Sequence, residues 1–160
     1  MATDRDVTAD VTAAFAAGGW DLALARVLDC FAADSGTIHL VDADGTLHLV
    51  AASAGIPRVV IETVRRVPVG KGMAGLAVER RQPVNACNIQ TDTTGDVRPG
   101  AKDTGLQGSI VVPLLRNGEP VGALGIANQR ERTFSDREAE LLMEVGRTLA
   151  ACHEPFGPPR

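Results

Sequence analysis

Residues 108–142 read GSIVVPLLRNGEPVGALGIANQRERTFSDREAELL, and this stretch decides the fold. Ser109–Leu115 is a near-continuous apolar run, the pattern of a strand covered on both faces. Asn117-Gly118 is a strong tight-turn signal, so Val121–Ala127 reads as the antiparallel partner. Gly122 and Gly125 inside that partner predict close packing against its backbone. Ser135 and Glu138 carry the Ser-x-x-Glu spacing of a capping box. They open a helix with Leu142, Val145, Leu149 and Cys152 on one stripe.

The N-terminal side adds more of both element types. Val7, Val11 and Phe15 recur at helical spacing, and Gly18-Gly19 should stop that helix. Trp20, Leu24, Val27, Leu28 and Phe31 form the apolar face of a second helix running to about Ala33. Thr37–Val41 and Thr46–Ser53 flank the turn-rich Asp42–Gly45 and read as a hairpin. Pairing Val41 with Thr46 would set His39 opposite His48. Pro57 suits the first turn of a short helix through about Arg65. Val67–Val69 is extended, Gly70-Lys71-Gly72 leads into a short helix over Met73–Arg80, and Pro83-Val84 is extended again. Asn85–Gly108 has few large apolar residues and no period, so it reads as a long irregular loop.

The pattern predicts an α+β fold. Its antiparallel sheet carries the N- and C-terminal helices on one face, with short helices and the long loop on the other. Residues 1–19 are expected to be an N-terminal helix and dimerisation arm, 20–152 the domain proper, and 153–160 a frayed tail.

Three stretches in this order resemble the GAF family, which is similar in fold to PAS domains. They are SGTIHLVDADGTLHLVAASAGIP (35–57), VPVGKGMAGLAVERRQPV (67–84) and the stretch from residue 108 quoted above. The resemblance implies a small-molecule sensor rather than an enzyme. It also implies a homodimer through the terminal helices and a signalling partner acting in trans, such as a histidine kinase. Cyclic-nucleotide-binding relatives carry Asn-Lys…Phe…Asp-Glu. Here Asn128 precedes Gln129, and the acids near Phe134 are displaced. Bilin-binding relatives place a Cys-His pair at the pocket, whereas Cys87 precedes Asn88.

Composition narrows the function classes. The 160 residues carry a net charge of -4, and aromatics are 3% of the chain with no Tyr. Neither a global basic face nor a stacking platform for nucleic acid is present. Residues 1–15 carry acids and no long apolar run, so no membrane segment is read there and a cytoplasmic location is expected. Cys30, Cys87 and Cys152 are far apart, without a CxxC pair, so neither a disulfide framework nor a cysteine metal site is expected. No pattern calls for a cofactor.

Cys30 and Cys152 read as small buried hydrophobes. A reductase like the free-methionine sulfoxide reductases of this family would have only Cys87 in the loop region, and their chemistry needs a second, resolving cysteine there. His39 and His48 lack a third ligand for a metal and read as packed histidines.

The remaining candidate is the glycine-rich turn at residues 70–75. A helix N-terminus offers unpaired N–H groups and a partial positive charge to an anion. Residues 58–81 hold six cations against two acids, a local charge of +4. That asymmetry favours a small anionic ligand. Gly72, Met73 and Ala74 are the turn positions expected to hold it; for Met73 and Ala74 the expectation rests on the resemblance to GAF nitrate receptors. Asn85, Asn88, Gln107 and Ser109 would add polar contacts from the loop. A module with an empty pocket, serving only dimerisation and scaffolding, is the alternative.

Overall fold

The last hairpin forms as its sequence directs. Strand β5 (Gly108–Arg116) and strand β6 (Glu119–Asn128) pair antiparallel through a turn in which Asn117 and Gly118 both take positive φ, 53° and 80°. Ile110, Val112 and Leu114 are fully buried on one face of β5, while Val111 is buried on the other. A Cβ on Gly122 would stand 2.2 Å from the His39 carbonyl oxygen, so the close packing expected there is with the neighbouring strand.

The computed structural model of the chain describes residues 4–91 and 105–153. Helix α1 (Asp4–Phe31) is broken at Gly19 (φ 71°, ψ −151°), which makes it the two helices read from the sequence. Strands β1 (Ser35–Val41) and β2 (Thr46–Ala52) follow, then helix α2 (Arg58–Val64), strand β3 (Arg66–Pro68), helix α3 (Gly72–Arg80) and strand β4 (Val84–Ala86). After β5 and β6, helix α4 (Asp136–Cys152) ends the fold. Ser135 and Glu138 form both bonds of the capping box at its start. All strand pairings are antiparallel, in the order β3-β2-β1-β6-β5-β4.

Each face of the sheet has its own apolar core. On one, Val7, Val11, Leu24, Val27 and Phe31 of α1 meet Leu142, Val145 and Leu149 of α4 over Ile38, Ile110, Leu124 and Ile126. On the other, Met73, Ala77 and Val78 of α3 pack with Leu47, Val67, Val84, Ile89, Val111 and Ala123. By length and composition alone Asp6–Phe31 could cross a membrane, but it is broken at Gly19 and its buried residues cover the sheet.

Arg132 ties distant segments together at one end of the sheet. Its guanidinium donates to the Ala32 carbonyl (3.3 Å), to Asn128 Oδ1 (2.8 Å) and to Glu138 (2.7 Å), and it lies over the Phe134 ring. Its backbone N–H donates to the Cys87 carbonyl (3.1 Å). Asn128 adds a bond from Nδ2 to the Ala32 carbonyl (3.0 Å).

Three expectations need correction. The first hairpin pairs Val41 with Leu47 and His39 with Leu49, not His39 with His48. Asp42 pairs with Thr46 and Gly45 takes φ 77°, so the loop is the three residues 43–45, one fewer than the four assumed. A left-handed residue after a turn is the signature of a bulged three-residue loop, and the one-residue slip separates the two rings. The irregular segment does not begin at Asn85. Asn85 pairs with Ile110 in β4, and Ile89–Thr91 is a short 3-10 helix; residues 92–104 lie outside the described residues. Cys30 is exposed and Cys152 half-buried, so neither is the buried hydrophobe expected.

Candidate functional site

Strand alternation builds the site. Alternate positions of β1, β5 and β6, namely Thr37, His39, Ser109, Val111 and Gly125, face away from α1 and α4. Over them lie Val60 and Val64 of α2, Met73 of α3, and Ile89 and Leu106. Together they wall a cavity of about 170 Å³. Engineered apolar cavities of about 150 Å³ hold a molecule the size of benzene.

Gly72, Met73 and Ala74 line this cavity where α3 begins. Gly75 makes the preceding turn possible, since a Cβ there would lie 2.4 Å from the Pro68 carbonyl oxygen. That turn uses the N–H groups of Gly70 (to Gly75, 2.9 Å) and Lys71 (to Pro68, 3.1 Å) internally. No side chain caps α3, so its first amides lack a capping partner, and the residues that carry them line the cavity.

Of the loop positions, Ser109 lines the cavity, and its hydroxyl donates to the Ile126 carbonyl (3.1 Å). The other three do not line it. Asn85 is exposed on β4. Asn88 caps the 3-10 turn by accepting from the Gln90 N–H (2.9 Å) and donates to Glu131 (2.7 Å). Gln107 engages through its backbone, with Asn128 (2.8 Å) and Ile89 (2.6 Å).

Charge is confined to the rim. Lys71 is the charged side chain in the lining; Arg58, Arg65, Arg66, Arg80 and Arg81 are exposed outside it. Arg58 faces Glu62 at 3.7 Å, and Arg81 faces Glu119 at 3.3 Å. Cys87 is exposed and outside the lining.

His39 is the wall residue that the sequence reading assigned to plain packing. It is 3% exposed, and its Nε2 lies 2.8 Å from the Val64 carbonyl at the end of α2. Burial pushes its imidazole below the ordinary histidine range. His48, beyond the hairpin slip, pairs instead with Asp42. That bond, with the N–H groups of Thr46 and Asp44, holds the Asp42 carboxyl below the usual carboxylate range. The available signal was the alternation Ser35-x-Thr37-x-His39, a polar stripe on a strand with helices expected on both sides.

No curated protein matches the chain. Solved structures do. The GAF domain of a phosphoenolpyruvate-protein phosphotransferase from Coxiella burnetii is similar at TM-score 0.74 and 22% identity, over 92% of this chain and 90% of that one. Free methionine-R-sulfoxide reductase from Neisseria meningitidis, solved with its substrate, is similar at 0.74 and 21%, over 92% and 86%. A domain of a protein assigned as a two-component sensor histidine kinase from Sinorhizobium meliloti is similar at 0.64 and 19%, over 81% and 84%. At such identities the likeness is one of fold. The GAF domain model matches residues 21–152, most of the chain, and the chain therefore belongs to the GAF domain family.

Proposed function

We propose that this GAF domain is a ligand sensor and not an enzyme, and that its ligand is a small molecule with an apolar body and an anionic end. The family is one of sensing and signalling. The observation that carries the reading is the cavity, with apolar walls and one polar feature made by backbone, the uncapped start of α3. A bare inorganic anion would leave most of those walls unused, so the expectation of a small anion sharpens to a small organic acid. Lys71 at the rim adds attraction for the same charge. Cys87 lies outside this lining, which supports binding without turnover.

Thermal denaturation tests it against 3-methylbutanoate, benzoate, nitrate, phosphate and free methionine sulfoxide. A ligand at 100 times its Kd adds about 2.7 kcal/mol, roughly 5–10 °C for a chain of this length. The organic acids should raise Tm more than the inorganic ions, and methionine sulfoxide should remain unconsumed with a thiol reductant. A flat panel would discard the sensor reading, and consumption would discard the non-enzyme reading.

We further propose that two copies pair through α1 and α4 and signal to a partner in trans. Asp6–Phe31 contains an apolar 18-residue window, yet only 28% of that window is buried within the chain, and Leu22 is 43% exposed. Sedimentation should give a dimer that Leu22→Glu dissociates. A monomer at high micromolar concentration would rule the pairing out.

A further inference from the structure

We propose that His39 decides which molecules the cavity accepts, by requiring a hydrogen-bond donor, a hydroxyl or amine, on the ligand's apolar body. This rests on the cavity being the binding site. Of the other uncharged polar side chains of the wall, Ser35, Thr63 and Ser109 are already engaged, while the Thr37 hydroxyl, on the same face of β1 as His39, makes no hydrogen bond among the described residues. Ser35 Oγ lies 3.0 Å from Ser53 Oγ, the Thr63 hydroxyl donates to the Val59 carbonyl (2.8 Å), and the Ser109 hydroxyl is bonded to Ile126 as described.

His39 is engaged on one side only. The Val64 carbonyl can accept but not donate, so Nε2 carries the proton and donates to it. In the neutral ring Nδ1 then holds a lone pair. No described residue gives Nδ1 a partner, and no side-chain nitrogen or oxygen among the described residues is both sealed off and unpartnered. The residue is 3% exposed and lines the cavity, so the space that Nδ1 reaches is the cavity itself. The resulting site has two poles: amide donors at the start of α3 and an imidazole acceptor on β1, with apolar surface between. A molecule with an acid and a donor on a small branched or aromatic body meets both.

Phenol and toluene separate the acceptor from everything else, because they share shape and volume and differ in one O–H. In calorimetric titrations of the full chain, phenol should bind roughly tenfold more tightly than toluene, the scale of one neutral hydrogen bond. His39→Phe keeps an aromatic ring without the acceptor and should bring that ratio to about one.

Nitrogen NMR of the unaltered protein gives an independent reading, even where the variant does not fold. His39 Nδ1 should resonate as an unprotonated nitrogen, and phenol but not toluene should shift it. Equal binding of the two probes, a preference that survives in His39→Phe, or a protonated Nδ1 would each overturn the acceptor role and leave the cavity reading standing. Binding of neither probe would overturn both.

Discussion

The two faces of the sheet are packed to different ends. Under α1 and α4, Leu24, Ile38, Ile110, Leu114, Leu124, Leu142 and Leu149 interlock at 2% exposure or less. The opposite face is covered by short elements. Alanines stand at 77, 86 and 123, and a cavity of about 170 Å³ is left open. Interiors normally close such spaces, because unmatched walls lose dispersion contacts. Here the long helices supply enough buried apolar surface to hold the sheet, and the second face is free to keep room for a ligand. On the proposed reading, stability and binding fall to opposite sides of one set of strands.

Truncation on each side should break or confirm that division. Leu142→Ala removes a fully buried side chain from the helix layer and is expected to cost about 2–5 kcal/mol. Val60→Ala on α2 removes less and enlarges a space that already exists, so about 1 kcal/mol is expected. Urea denaturation measures both. Equal losses would show that the cavity face carries as much of the fold as the helix face.

Acidification should produce a smaller effect that belongs to the cavity face. The folded pKa of His39 lies below its unfolded value, so between the two the unfolded chain holds more protons, and stability must fall as pH drops through about 6.5. Tm should therefore decline between pH 7.5 and 5.5, and less steeply in His39→Phe. An identical slope in the variant would place that pH dependence elsewhere. Asp42 is depressed as well, but its contribution is lost only below about pH 3.9, outside this window.

The helix face was the more legible of the two. Its signals are local and periodic: the stripe at Leu142, Val145 and Leu149, the Ser135–Glu138 box, and the glycine break before Trp20. The start of α3 was legible too, since Gly70-Lys71-Gly72 marks it directly, and Gly72, Met73 and Ala74 do line the cavity. The rest of the site depends on register and on segments far apart in sequence. One left-handed glycine at 45 decides where His48 points. Three further positions lie outside the cavity lining for a related reason: polar residues in an aperiodic stretch give no direction. Asn85 is carried outward by a strand, Asn88 closes its own turn, and Gln107 is used through its backbone.

The strand order also fixes when the sheet can be completed. Strand β1 lies between β2 and β6, yet β6 begins 78 residues after β1 ends, at 119 against 41. At ribosomal speeds of about 5–20 residues per second, that interval is about 4–16 s. Throughout it β1 presents Ile38 and Leu40 beside an open row of backbone donors and acceptors, the situation that invites pairing with the wrong chain. Strand β4 waits in the same way for β5. The final hairpin enters between these two edges and closes both at once, so a nascent chain truncated before Asn128 would be left with adhesive borders.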